Sequence, residues 1–88
     1  VIIFKEKLIR SEIQRIRMPR GSKLLDIQIQ DSEIMLWFLC DPNEECVNRV
    51  IQIIGTGNRI IADAGEYVAT VVDGQFVWHF FDKGEINA

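Results

Sequence analysis

Glu66-Tyr67-Val68-Ala69-Thr70-Val71-Val72-Asp73-Gly74-Gln75-Phe76-Val77-Trp78-His79-Phe80-Phe81 is the stretch that decides the fold. Residues 66–72 and 75–81 are rich in β-branched and aromatic side chains, which suit a pleated, half-buried surface. Asp73-Gly74 stands between them. An Asp-Gly step between two such runs predicts a hairpin closed by a two-residue turn.

Working outward, the same signal recurs. Residues 34–40, Ile-Met-Leu-Trp-Phe-Leu-Cys, are apolar at every position, as in a strand that is central or covered on both faces. Before them, residues 23–31 alternate, with Leu25, Ile27 and Ile29 facing one way and Asp26, Gln28 and Gln30 the other. Asp31-Ser32-Glu33 and Asp41-Pro42-Asn43-Glu44-Glu45 supply the intervening turns. Residues 46–54 read as a further strand, stopped by Gly55-Thr56-Gly57-Asn58. Residues 2–8 read as a strand. Residues 11–18 read as a strand or as a short helix capped by Ser11, the strand being preferred, and Pro19-Arg20-Gly21 ends them. Residues 60–66 fit a single helical turn or an irregular arm. With no repeat or linker, the expectation is one all-β domain over residues 1–88. It would be a small antiparallel sandwich or partly open barrel of about six or seven strands, with at most one short helix.

Composition narrows the function classes. A chain of 88 residues buries only roughly 60–65% of its unfolded surface, yet 48% of its residues are hydrophobic. Some apolar surface is therefore expected to lie against a second copy, making a homo-oligomer. No apolar run approaches the roughly 18 residues that span a bilayer, and Val1-Ile2-Ile3-Phe4 is too short for a signal-peptide core. The expected location is cytoplasmic, with Cys40 and Cys46 reduced. The single histidine, with no CxxC pattern, argues against a metal site. Residues 1–23 carry seven basic side chains against two acids, whereas residues 24–88 carry three against eleven. Such opposite ends either neutralise one another or leave a basic surface that attracts an anion.

Few residues suggest chemistry. Gly55, Thr56, Gly57, Asn58 and Arg59 combine close backbone approach, a hydroxyl and a guanidinium, which is an anion-binding set. It is neither a dinucleotide fingerprint nor a P-loop, because Ile60 follows and no Gly-Lys-Ser/Thr occurs. Trp37 and Trp78 either fill the core or stack on a ligand ring. No nearby Ser/Cys/Asp arrangement specifies a catalytic partner for His79, and the acids are scattered, so no enzyme and no cofactor are expected. Arg15 and Arg17 share a strand face, but the acidic total and the missing aromatic-basic platform rank nucleic acid low as a partner.

The order of motifs resembles a family of small bacteriophage-encoded proteins known mainly as a domain of unknown function. The landmarks are Met18-Pro19 with Gly21, Gln28-x-Gln30, Leu36-Trp37, Asp41-Pro42, Gly55-Thr56-Gly57, Tyr67 to Thr70, and His79-x-Phe81. The resemblance implies a phage accessory protein, with an anti-defence role as a sponge that withholds a host immune nucleotide signal. Its ligand would be a small phosphorylated molecule of ADP-ribose or cyclic-nucleotide type. Gly55, Thr56, Gly57, Asn58 and Arg59 would hold phosphate, Trp37 or Trp78 would stack on the base, and His79 is a further candidate for ligand contact. Arg17 and Arg20 would add charge. A module that inhibits a host protein by direct contact is the alternative.

Overall fold

The structure, a computed structural model, describes residues 1–60 and 63–86. Seven strands follow one another: β1 (Ile2–Leu8), β2 (Ile13–Pro19), β3 (Lys23–Gln30), β4 (Glu33–Cys40), β5 (Cys46–Gly55), β6 (Glu66–Asp73) and β7 (Phe76–Ile86). They form two antiparallel sheets, ordered β1-β4-β3 and β2-β5-β7-β6, stacked as an open sandwich. The fold is the all-β sandwich that the alternating runs predict, and residues 11–18 belong to a strand. The helical turn or arm expected over residues 60–66 includes 61 and 62, which lie outside the described residues. No helix of the described chain is long and apolar enough to cross a membrane.

The inner faces meet in one core. Leu8, Ile27, Ile34, Leu36 and Phe38 enter it from the three-stranded sheet; Met18, Ile51, Ala69, Val71 and Phe80 enter from the other. Strand β4 lies in the middle of its sheet, with Ile34, Leu36, Phe38 and Cys40 buried and Met35, Trp37 and Leu39 half-buried on the outward face. Cys40 and Cys46 are free. On β2 the inward set is Gln14, Ile16 and Met18. Gln14 is tolerated there because its carboxamide is fully used: Ile9 N donates to Oε1 at 2.9 Å and Nε2 donates to Ile9 O at 2.8 Å.

Two expectations of phase need correction. Leu25 does not face inward with Ile27. A β-bulge between Leu24 and Asp26 inserts one residue, so Leu24 packs on the core and Leu25 stays exposed. The turn of the β6–β7 hairpin is Gly74-Gln75 rather than Asp73-Gly74. Asp73 pairs with Phe76, and Gly74 takes φ +61° at the first turn position, the conformation a II′-type turn asks of glycine. The one-residue shift keeps Asp73 within the strand. The β3–β4 turn, Asp31-Ser32, has φ of 52° and 66°, both left-handed and both without glycine.

Strands β5 and β6 run the same way on either side of β7, so the chain from Gly55 to Glu66 must travel back along the sheet. It lands at Gly65, whose φ of +101° and contact with the Asp82 carbonyl leave no room for a Cβ. Nearby, Arg49 Nε and Nη2 donate to Asp82 at 3.0 and 2.7 Å, and Nη1 donates to Ser22 O at 2.7 Å. The Asp82 hydrogen bond raises the Arg49 pKa further, against the opposing effect of desolvation. This pair ties the β2–β3 turn to β5 and β7.

Candidate functional site

The opposite end of the sandwich holds a cavity. The last β2–β5 pair is Ile13 with Gln52, and β5 continues to Gly55 without its neighbour. Glu12 O accepts one more bond there, from Ile53 N at 2.8 Å. The notch is walled by the 10–12 segment on one side, by Asn58 and Arg59 on the other, and by Trp78 of β7; its volume is about 210 Å³.

Local sequence explains the walls. Trp78 pairs across from Gly55, and a Cβ at Gly55 would lie 3.3 Å from the Trp78 ring and 3.1 Å from Asn58 Nδ2. The missing side chain lets the indole and the carboxamide close over the strand end. Asn58 N donates to Gly55 O at 3.1 Å, which closes the turn and presents Arg59 beside the cavity. Arg59 makes no ion pair among the described residues.

Charge and orientation come from Asp73. Arg10 grips its carboxylate with two bonds, Nε to Oδ2 at 2.7 Å and Nη2 to Oδ1 at 3.0 Å, and Trp78 Nε1 donates to Oδ2 at 2.9 Å. These donors, Arg10 first and Trp78 second, hold the Asp73 pKa down at about 2. The same hydrogen bond raises that of Arg10. Trp78 is fixed from its other side by Phe76, stacked at 5.4 Å and 15°. A shallower depression of about 390 Å³ adjoins the cavity around Arg10, Asp73, Phe76 and Trp78.

Gln52 is the anomaly of the cavity wall. It is 4% exposed, and its Oε1 is buried with no hydrogen-bond partner among the described residues. An unpaired buried acceptor costs free energy that folding does not recover.

The structure gathers Gly55, Asn58, Arg59 and Trp78 from the sequence-predicted set. The others lie elsewhere. Thr56 turns its hydroxyl to His79 Nε2 at 2.8 Å, and His79 Nδ1 meets Thr70 Oγ1 at 3.0 Å, which in turn meets Tyr67 OH at 2.7 Å. This polar chain joins β6, β7 and the 55–58 turn. Gly57 has φ +91° and sits at the exposed tip of that turn. Trp37 is on the outward face of the three-stranded sheet. Arg17 and Arg20 lie with Glu45 and Asn48 around a separate depression, Arg17 donating to Cys46 O and Arg20 paired with Glu45.

Sequence reasoning missed Arg10, Gln52 and Asp73. Gln52 had one visible signal, a lone polar residue in Val50-Ile51-Gln52-Ile53-Ile54. Asp73 was hidden by its assignment to the turn, and Arg10 is joined to it only across the fold.

No curated protein and no solved structure matches this chain. The family described as Domain of unknown function (DUF7352) matches residues 2–88, and the chain belongs to that family.

Proposed function

We propose that this protein binds a small phosphorylated, ring-bearing ligand in the cavity beside Gly55 and withholds it without transforming it. The observation that carries this reading is the meeting of Trp78 and Arg59 around one cavity. Trp78 offers a fixed ring face for stacking and Arg59 offers donors and charge to a phosphate. Drug-sized ligands occupy roughly 300–1,000 Å³. A cavity of about 210 Å³ therefore holds one ring, and the adjoining depression takes the remainder. The described wall carries a single carboxylate, Glu12, and neither histidine nor cysteine, which favours storage over acid–base or nucleophilic chemistry. On this reading the protein is a non-enzymatic phage accessory factor that acts in the host cytoplasm as a nucleotide sponge.

The test is a thermal-shift screen against nucleotides, with the ligand recovered after denaturation. A ligand at 100 times its Kd stabilises the fold by about 2.7 kcal/mol, and it returns intact. Recovery of a cleaved product overturns the sponge in favour of an enzyme.

A second reading, a protein-interaction module or homo-oligomer, is favoured by β1. This edge strand is exposed at Ile2, Ile3 and Phe4. Such an edge is a template for another strand. Sedimentation distinguishes a second copy from a host protein captured by that edge.

A further inference from the structure

Strand β1 is the sheet edge that this fold leaves unguarded. We infer that it pairs antiparallel with β1 of a second copy of this chain, about a two-fold axis at Ile3, so that two three-stranded sheets join into one. This pairing rests on the second reading above, to which it adds the partner and the register, and it does not depend on the ligand.

The strands at the sheet edges are β1 and β3 in one sheet, β2 and β6 in the other. Exposed edges are ordinarily blunted by bulges, charge or proline. Strand β3 has a bulge between Leu24 and Asp26, and β6 has one between Tyr67 and Ala69. Strand β2 presents exposed Arg15 and Arg17 and ends at Pro19. Strand β1 runs against β4 without a register shift from Ile2 to Leu8, and every residue from Ile2 to Lys7 is exposed. Its first half, Ile2-Ile3-Phe4, carries no charge. Its two lysines lean over β4, away from the edge: Lys5 Nζ donates to Gln30 Oε1 at 3.0 Å, and Lys7 Nζ lies 3.6 Å from Glu33 Oε1.

Self-complementarity selects a second copy as the occupant and Ile3 as the centre. In an antiparallel seam directly opposed residues share a sheet face, so the axis must pass through a residue to keep both core faces on one side. An axis at Lys5 opposes the two Lys5 side chains, and one at Glu6 opposes Glu6 with Glu6 and Lys5 with Lys7. Like charges so placed repel. An axis at Phe4 sets Ile2 against Glu6 and Ile3 against Lys5. An axis at Ile3 matches the three apolar residues with one another, Ile3 with the partner's Ile3 and Ile2 with the partner's Phe4. Within the chain Ile2 lies beside Cys40, Ile3 beside Leu39 and Phe4 beside Phe38, the two phenyl rings meeting edge to face at 6.2 Å. The seam therefore carries apolar rows from one β4 to the other, on the core face and on the outer face alike. A two-fold pair also uses up both β1 edges and leaves neither as a template.

The experiment compares wild type with Ile3→Lys by sedimentation velocity, and follows disulfide linkage by diamide in Ile3→Cys, Phe4→Cys and Lys5→Cys, each with Cys46→Ser. Ile3 is 61% exposed, so Ile3→Lys spares the core, and its circular-dichroism spectrum checks that it folds. Wild type is expected to sediment as a dimer, and Ile3→Lys to raise the dimer Kd roughly tenfold or more, since two lysines then meet at the axis. Ile3→Cys is expected to link into a covalent dimer well ahead of Phe4→Cys and Lys5→Cys. Faster linkage at position 4 or 5 overturns the register and leaves the β1 seam standing. A wild-type dimer that Ile3→Lys does not weaken, with no linkage in Ile3→Cys, overturns β1 as the interaction edge. A wild type that stays monomeric overturns the second copy, and a host protein whose binding Ile3→Lys abolishes would then be the occupant. Nucleotide binding is read separately by the thermal-shift screen and stands or falls on its own.

Discussion

The two ends of the sandwich each carry an arginine bound to an aspartate by two or more hydrogen bonds, and they are put to different use. At one end Arg49 and Asp82 are 13% and 12% exposed, with Ser22 O and Glu85 completing the guanidinium's partners. At the other end Arg10 is 46% exposed and Asp73 17%, next to the cavity beside Gly55. The first pair is largely sheltered, with a depression of about 240 Å³ at its side, and locks a turn to two strands. The second is open on one side and fixes the indole that walls a cavity. The same chemical unit ties backbone segments together where Ser22 O and Glu85 take up the guanidinium's other donors, and orients an indole at the candidate site where Trp78 shares its aspartate.

The largest effect expected is at the closed end. Asp82→Ala leaves the Arg49 guanidinium half-satisfied in a sheltered position and is expected to cost about 3 kcal/mol or more, read as a lowered urea midpoint. A loss under about 1 kcal/mol would show that this end is as open as the other and erase the contrast. Gly65→Ala attacks the same end through the backbone. A Cβ there overlaps the Asp82 carbonyl at a left-handed φ, and a loss of about 2–3 kcal/mol is expected.

Asp73→Asn should act in the reverse proportion, with a smaller fall in stability than Asp82→Ala and at least a tenfold loss of ligand affinity by thermal shift. Equal or greater destabilisation at Asp73 would assign it a structural role instead. The acid titration sharpens this point. The folded pKa of Asp73, about 2, lies below the ordinary aspartate value of about 3.9. Its contribution to stability is therefore fully present above about pH 4 and is lost as pH falls through about 2. A carboxyl carbon-13 titration of Asp73 centred near 2 supports the pairing, and one centred near 3.9 means Arg10 does not hold it in solution.

The smallest expected effect is a gain. Ser32 adopts φ 66° in the β3–β4 turn, and its carbonyl accepts from Arg10 Nη2 at 3.3 Å. Ser32→Gly relieves the left-handed strain while keeping that carbonyl, and should add roughly 0.5–1 kcal/mol without altering ligand affinity. A changed affinity would mean that the turn itself shapes the cavity.

Much of this molecule is legible in its sequence because strand patterning is local. The doubly apolar run at 34–40 becomes the central strand of its sheet, and the aromatic run at 75–81 becomes most of β7. The Gly55–Arg59 loop stands out because glycine, amide and guanidinium together are unusual after a strand. Phase was harder. A bulge moved Leu25 outward, and a one-residue shift placed Asp73 inside β6, because register is settled by pairing across strands and not by alternation along one.

What the sequence determined alone was therefore the all-β class, the approximate strands and one wall of the cavity. The tertiary structure decided the rest of the site. Arg10 reaches Asp73 across 63 positions, and Trp78 comes opposite Gly55 across 23. Only the early end of β2 leaves the last residues of β5, up to Gly55, without a neighbouring strand on that side. Local periodicity reports which side of a strand is buried; it does not report which distant residues share an end of the sandwich or where the packing stops. That depends on strand order and register, set by the sum of weak contacts over the whole core.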